Sequence, residues 1–464
     1  MTRPKTETHL HFVGIGGIGM SGIAEVFLNQ GYRVSGSDLQ ESESTRRLAR
    51  LGAKILLGHQ ASNVQGAHVV VMSSAVKKSN PEIQEAARQR IPVIPRAEML
   101  GELMRGKTGI AVAGSHGKTT TTSMLATVFT LAGKDPTLVI GGRVDSLGGN
   151  AKLGQGPLVI AEADESDGSF LHLPATYGII TNVDNDHLDH FKTTTAIDQA
   201  FVDFVGKMPF YGHVVVCGED AGVRRCLQSF TKPFSTYGIS GEYDWIAEGI
   251  QFGPSGSEFD VFRKSESGRE KLGRLKINVP GRHNVLNALA VCGLGTRLGL
   301  TFEEIAHGLR SFHGVKRRFE TRFEDQAKKI TVIDDYGHHP TEIQATLAAA
   351  KNYWKGRILV VFQPHRYSRT LHCYDQFMKA FTGADRVWIT DIYSAGEDPI
   401  DGISGKKMVS DLKVKNPSQD FFHLSDLENG ATEILNEVKS GDLVLCLGAG
   451  SITKLPDRLA QGLS

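Results

Sequence analysis

Neither sign of charge is in excess in this chain, where 52 Lys and Arg stand against 51 Asp and Glu over 464 residues. No general basic surface therefore argues for wholesale binding of nucleic acid or of an anionic membrane. Electrostatics must be read locally. Cysteine is sparse: Cys217, Cys226, Cys292, Cys373 and Cys446 form no CxxC pair and no zinc spacing. That pattern argues against a disulfide scaffold and suits reduced, buried thiols in a cytosolic protein. Apolar runs long enough to span a bilayer are missing, and the start MTRPKTETHLHFVGIGGIGM lacks the parts of a signal peptide, so the expectation is a cytoplasmic protein. Glycine, by contrast, is abundant at 52 residues. It clusters at turns between apolar runs, which reads as ordered loops rather than low complexity.

Short apolar runs (HLHFVGI, AHVVVMSS, TGIAVAG, PLVIAEA, YGIITNV, GHVVVCG) alternate with helix-like segments such as MSGIAEVFLNQG and TTSMLATVFTLAG. This is the βα rhythm of a largely parallel, covered sheet, hence an α/β fold. The rhythm restarts near Lys107, after the polar turn MRGKT, and again near Ile330. Together with a length of about three domains at roughly 150 residues each, this predicts domains over 1–106, 107–313 and 314–464. Between about Tyr237 and Pro280 the pattern turns more polar and alternating, consistent with antiparallel strands attached to the central domain.

Two glycine loops stand out. Gly14, Gly16 and Gly19 match GxGxxG between the strand LHFV and a helix, and Asp38 closes the following strand. Glycines let backbone approach phosphate oxygens, and the free N–H groups of a helix start attract their charge. Alone, the loop fits a dinucleotide dehydrogenase with Asp38 on the adenosine ribose, a nucleotide-sugar diphosphate, or mere strand–helix packing. The second loop is Gly114-Ser115-His116-Gly117-Lys118-Thr119 after the strand TGIAVAG. It is a shortened phosphate loop, with Val112 where a full loop carries glycine. A nest of N–H groups, a lysine for the β and γ phosphates and a hydroxyl for Mg²⁺ all remain. Because Lys118 is read as standing on a solvent-facing loop, its removal is expected to spare the fold.

A magnesium triphosphate also needs carboxylates at neighbouring strand ends. PLVIAEADESD supplies Glu162, and YGIITNVDNDHLDHF supplies Asp184, Asp186, His187 and Asp189. Further on, PGRHNVLNALAV presents Asn284 and Asn287 three apart at a helix start, either to bond a base or ribose or simply to cap. HGVKRRFE brings Arg317 and Arg318, suited to reach an anion across a cleft. DDYGHHPTEI carries Asp334, Asp335, His338 and His339, and QPHRYSRT carries His365, Arg366 and Arg369. Both lie behind apolar strands, where ligands of open α/β sheets bind. Adjacent histidines point in different directions, so a carboxylate or phosphate site is favoured there over a two-His metal site.

Taken in order, HFVGIGGIGMSGIAE, GSHGKTTTT, EADESD, TNVDNDHLDHF, PGRHNVLNA, RRFE, DDYGHHPTE and QPHRYSRT resemble the Mur ligases of peptidoglycan synthesis, nearest to the alanine-adding members. The resemblance implies a Rossmann-like N-terminal domain for a UDP-sugar, a central P-loop ATPase-like domain with a parallel sheet plus a small antiparallel sheet, and a Rossmann-like C-terminal domain. It implies ATP and Mg²⁺, with UDP-N-acetylmuramate and L-alanine as substrates. By the same resemblance, Gly114, Ser115, His116, Gly117, Lys118, Thr119 and Thr120 cradle ATP, joined by Asn284, Asn287, Arg318 and Asp335. Thr119, Glu162 and His187 hold metal. Gly14, Gly16, Gly17, Ile18, Gly19, Asp38, Ser73, Ser74 and His187 serve the UDP-sugar, and His339, His365, Arg366 and Arg369 lie near the amino acid. NVDNDH stands in place of the family's NIEADH-like motif, so Asp184 replaces a Glu.

Overall fold

The computed structural model describes residues 4–73, 75–144, 149–186 and 188–464. The chain forms two compact units. One holds Met1–Ile246, Phe262–Leu272 and Asn287–Ser311, and the other holds Ala247–Val261, Gly273–Leu286 and Phe312–Ser464.

In the first unit, strands β1 (His9–Val13), β2 (Arg33–Asp38), β3 (Lys54–Leu57), β4 (Val69–Met72) and β5 (Val93–Pro95) form a parallel sheet in the order β3-β2-β1-β4-β5. All five residues of β1 are buried, as a central strand covered on both faces requires. The order reverses at β1, so a crevice opens beyond its carboxyl end, where a doubly wound sheet binds ligand. That is where Gly14–Gly17 leads into the helix Ile18–Asn29.

The second sheet has ten strands in the order β15-β14-β13-β12-β11-β10-β6-β9-β7-β8. They are β6 (Thr108–Ala113), β7 (Thr137–Val144), β8 (Gly149–Lys152), β9 (Leu158–Glu162), β10 (Tyr177–Ile180), β11 (His213–Cys217), β12 (Phe234–Gly238), β13 (Trp245–Gly253), β14 (Gly256–Ser265) and β15 (Gly268–Ile277). β6 pairs in parallel with β9 on one side and β10 on the other. The phosphate loop after β6 is thereby flanked by the two acidic strand ends. The polar segment after Tyr237 supplies β13 to β15, which continue this same sheet: Tyr237 and Gly238 pair with Trp245 and Ile246. The open edge of β12 needs hydrogen-bond partners, and β13 provides them.

A third sheet, within the Phe312–Ser464 part of the second unit, has six strands in the order β16-β17-β21-β18-β19-β20, namely β16 (Glu320–Asp325), β17 (Ile330–Asp335), β18 (Ile358–Phe362), β19 (Arg386–Thr390), β20 (Asp420–Leu424) and β21 (Leu443–Leu447). Only β16 runs antiparallel to its neighbour. Side chains alternate between two cores: Leu359, Val361, Val444 and Cys446 pack on one face, and Ile358, Val360, Phe362 and Leu445 on the other. This is the period-two partition of strands buried on both sides. All five cysteines are free and buried, as expected.

Candidate active site

The turn from β6 into the helix Lys118–Leu131 depends on two glycines in left-handed conformations, Gly114 (φ +132°) and Gly117 (φ +81°). A methyl group at Gly114 would stand 2.0 Å from Thr181 Oγ1, and one at Gly117 would stand 3.2 Å from Asn287 Oδ1. The loop is strapped to the end of β10. The Asn182 amide donates to His116 O at 2.9 Å and accepts from His116 N at 2.8 Å, while Thr181 Oγ1 donates to the same carbonyl at 2.6 Å. Ser115 Oγ accepts from Asp184 N at 2.9 Å, and His116 Nε2 lies 3.0 Å from Asp184 Oδ2. With backbone held this firmly, the N–H groups of the helix start keep the fixed arrangement that an anion site needs.

Lys118 does not face solvent. Its side chain is 13% exposed, and Nζ donates to Gly114 O at 2.6 Å and to the nearly buried Glu165 at 2.8 Å. Burial works against the Lys118 charge, but the carboxylates of Glu165, Asp164 and Glu162 outweigh it and raise the lysine's pKa. Glu162, at the end of β9, is pushed above the usual carboxylate range by burial, with Lys118 opposing. Asp164 is held below that range: burial pushes it up, and Lys118 and Arg96 more than offset it. Three carboxylates thus gather around Lys118, with Arg96 paired to one of them, which leaves a surplus of one negative charge that suits a further cation.

The donor geometry fits a hard cation. Thr119 Oγ1 and Glu162 Oε1 lie 3.0 Å apart. Two oxygens cis on an octahedral Mg²⁺ with bonds of about 2.05 Å are about 2.9 Å apart. Gly141 N holds the other Glu162 oxygen at 2.8 Å, and a methyl group at Gly141 would collide with it. His187, the further expected ligand, lies outside the described residues. Thr120 is partly exposed in the first helical turn. Thr121 and Thr122, for which the sequence suggests no role, are buried; Thr122 Oγ1 donates back to Lys118 O at 2.8 Å.

The first glycine loop is built differently. Gly14 has φ +78°, and a methyl group there would approach Ser73 Oγ to 3.3 Å. Gly16 N donates to Asp38 Oδ2 at 2.8 Å, so Asp38 ties the loop to β2. A cavity of about 730 Å³ opens here, lined among others by Gly14, Gly16, Gly17, Asp38, His59 and Ser73. Ile18 is 52% exposed at the helix start, and Gly19 packs under the Arg96 guanidinium. Ser74 lies outside the described residues. Beneath the cavity, the fully buried Glu82 receives Ser37 Oγ at 2.6 Å and the Asn63 amide, with His59 Nδ1 at 3.1 Å.

In the second unit, Asn284 is buried and donates to Pro280 O at 2.7 Å. Asp335, buried at the end of β17, accepts from Phe319 N and Gly337 N, each at 2.7 Å. Burial raises its pKa, against the pull of Arg318. Arg318 lies over the Tyr336 ring at 5.0 Å and 3.4 Å from Glu342. His339 is fully buried and caps the helix Pro340–Tyr353, while His338 turns to Tyr336 O. The two histidines diverge, as read from the sequence. His365, Arg366 and Arg369 are brought together: Arg369 Nη1 is 3.3 Å from His365 Nδ1, and Arg366 is anchored on Glu397. Burial, helped by the two arginines, lowers the His365 pKa to about 4.

Sequence reasoning missed four residues of these clusters: Asn182, Glu165, Arg96 and Glu397. Asn182 and Glu165 stand inside the runs TNVDNDH and EADESD, and their strand-end position is the signal that marks them. Arg96 and Glu397 carry no such signal, because only the tertiary fold brings them near their partners.

Comparison with known proteins agrees with this arrangement. The Mur ligase catalytic-domain model matches residues 9–108, the Mur ligase middle-domain model 112–295, and the Mur ligase glutamate ligase domain model 317–450. Proteins named UDP-N-acetylmuramate–L-alanine ligase from Geotalea daltonii and Syntrophotalea carbinolica are each 52% identical over 98% of both chains. The crystal structure of UDP-N-acetylmuramate-alanine ligase from Thermotoga maritima superposes with TM-score 0.81 at 34% identity, covering 97% of this chain and 98% of that one. A murein peptide ligase from Psychrobacter arcticus follows at TM-score 0.72 and 26% identity, covering 98% of each. Three family models in sequence, with full-length relatives at half identity, show that the chain belongs to the Mur ligase family.

Proposed function

We propose that this chain is an ATP-dependent ligase that joins L-alanine to the lactyl carboxylate of UDP-N-acetylmuramate, giving UDP-N-acetylmuramoyl-L-alanine, ADP and phosphate for peptidoglycan synthesis. The full-length, half-identical relatives bearing that activity's name carry the reading. The phosphate loop flanked by two acidic strand ends supports it chemically. A dehydrogenase reading of the first loop leaves that second loop without a task.

A carboxylate is a poor acyl donor because its leaving group would be oxide. Phosphorylation by ATP replaces it with phosphate: the carboxylate oxygen attacks the γ-phosphorus and ADP departs. The alanine amine then adds to the acyl carbon, and the tetrahedral intermediate collapses to the amide as phosphate leaves. In this reading Gly114 to Thr120 hold the triphosphate, Lys118 countering its charge, with Asn284, Asn287, Arg318 and Asp335 on the nucleotide. Gly14 to Gly19, Asp38, Ser73 and Ser74 hold the UDP-sugar. His339, His365, Arg366 and Arg369 serve the amino acid, the arginines by charge-assisted bonds to its carboxylate. Mg²⁺, held by Thr119, Glu162 and His187, would supply charge neutralisation at the transferring phosphoryl group. Domain boundaries near 106 and 314 divide these tasks. None of the described helices is long and apolar enough to cross a membrane, and the reading places the enzyme in the bacterial cytoplasm, where its soluble substrates are found.

The test is phosphate release from ATP. It is expected to require both UDP-N-acetylmuramate and L-alanine, and release that ignores either substrate overturns the proposal. A panel of glycine, L-serine and a preformed tripeptide sharpens it. Preference for the tripeptide would reassign the chain to peptide recycling.

A further inference from the structure

Arg96 opens the helix Arg96–Met104 in the N-terminal sheet's part of the first unit. Its Nη2 donates to Asp164 Oδ2 at 3.0 Å, beyond the end of β9. On the other side its guanidinium lies against Gly19 in the first turn of the helix Ile18–Asn29, where a methyl group would stand 2.6 Å from Nη1 and 3.4 Å from Cδ and Cζ. A side chain there would push the guanidinium from this place. Asp164 adjoins Glu165, the carboxylate that holds the Lys118 ammonium at 2.8 Å, and its Oδ1 accepts from Ser166 N at 3.1 Å. A single cation therefore touches the helix that follows one glycine loop and the acidic turn that fixes the lysine of the other. The arginine is 22% exposed and its carboxylate partner 39%, a partly enclosed pair. The same helix start is also tied to the central sheet by Asn150 Nδ2, which donates to Ile18 O at 2.8 Å.

We infer that Arg96 is a positioning residue for the reaction: with Asp164 it sets the spacing between the two glycine loops, so that a carboxylate presented from the first meets the phosphoryl group held at the second. The inference rests on the ligase reading above. An in-line transfer needs the reacting atoms within a narrow range of distance and angle, and misplacement by about 1 Å costs on the order of 10²-fold in rate. A guanidinium suits the task because its planar fork fixes both direction and distance, which a lysine ammonium on a flexible stem does not. Arg96 acts through the groups it holds, and its loss falls on the chemical step rather than on the binding of either nucleotide.

Steady-state kinetics of Arg96→Ala, Asp164→Asn and the double variant, with thermal melts of each, test this. The expected result for Arg96→Ala is a fall in kcat on the order of 10²-fold, with the KM values for ATP and UDP-N-acetylmuramate within about threefold of wild type. The double variant should lose little more than the worse single one, since the two residues act as a unit. A lowered Tm with kcat unchanged would reduce the pair to a structural contact, and strictly additive losses would uncouple Arg96 from Asp164; either overturns the inference. If Arg96→Ala does not fold, Arg96→Lys is read instead: a clear fall in kcat supports the fork geometry, and wild-type kcat refutes it. Wild-type turnover is measured alongside. Its absence would count against the ligase reading itself, whereas normal wild-type turnover with indifferent variants would sink this inference alone.

Discussion

The two glycine loops share one plan, a buried parallel strand, a turn that begins on a left-handed glycine and a helix start, yet their surroundings are opposite in charge logic. Under the first loop the buried carboxylate Glu82 is fully supplied with partners. Burial pushes its pKa up, and the His11 ring, the Ser37 hydroxyl and the Asn63 amide outweigh that and hold it at about 2. Around the second loop the carboxylates outnumber the cation they surround, and Glu162 is pushed above its usual range. A carboxylate tied down by hydroxyl, amide and imidazole groups suits a rigid wall for a ligand whose charge does not change. A surplus of carboxylate is costly at rest and becomes favourable when a cation and a phosphoryl group arrive. In the proposed function, this contrast is what separates a diphosphate that is only held from a triphosphate that reacts.

The largest expected effect breaks the second loop electrically. Lys118→Ala removes the ammonium between Glu165 and the loop carbonyls. Turnover should fall by about 10²- to 10³-fold, as for loss of a charge-stabilising donor at the reacting centre. Because Glu165 is 2% exposed, its uncompensated charge should also cost about 3–5 kcal/mol of stability. Kinetics and denaturant unfolding check the two parts separately. A variant that stays inactive but melts like wild type would show that the carboxylates find other partners.

Backbone substitutions at the glycines give a smaller effect and a direct contrast between the loops. Gly114→Ala meets Thr181 Oγ1 at 2.0 Å in a conformation that disfavours any side chain, whereas Gly14→Ala meets only Ser73 Oγ at 3.3 Å. Left-handed strain of roughly 1–2 kcal/mol is common to both; the collision is not. Gly114→Ala should thus raise the KM for ATP and lower kcat together, while Gly14→Ala should raise the KM for UDP-N-acetylmuramate and leave ATP binding alone. Equal effects on both substrates from either variant would erase the distinction.

The strands that carry both loops were legible because buried parallel strands read as unbroken apolar runs, and the glycines because few other residues tolerate such turns. Strand order was not legible. Nothing in EADESD or TNVDNDH says that β9 and β10 land on either side of β6, yet that adjacency buries Lys118 and overturns its reading as a solvent-facing residue. Asn182 had its strand-end position as a signal, but its task shows only once the neighbouring loop's His116 is placed against it. Similarly, β13 to β15 were visible as strands, but their continuity with the central sheet depends on the open edge of β12, which no local pattern records.

The smallest expected effect sharpens the contrast from the side of the first loop. Glu82 has a folded pKa of about 2 against an ordinary 4.5. Its contribution to stability is thus fully present above pH 4.5 and lost as pH falls through about 2, since there the unfolded chain binds the proton more readily. Glu82→Gln should flatten the rise in unfolding free energy between about pH 2 and 4.5. It should also cost about 1–3 kcal/mol near neutrality, because Ser37, Asn63 and His59 lose a charged acceptor. His59 lines the cavity and rests on Glu82, so the KM for UDP-N-acetylmuramate should rise modestly while the KM for ATP stays put. A change in the ATP constant instead would mean that the two networks communicate, and that the first wall is not passive.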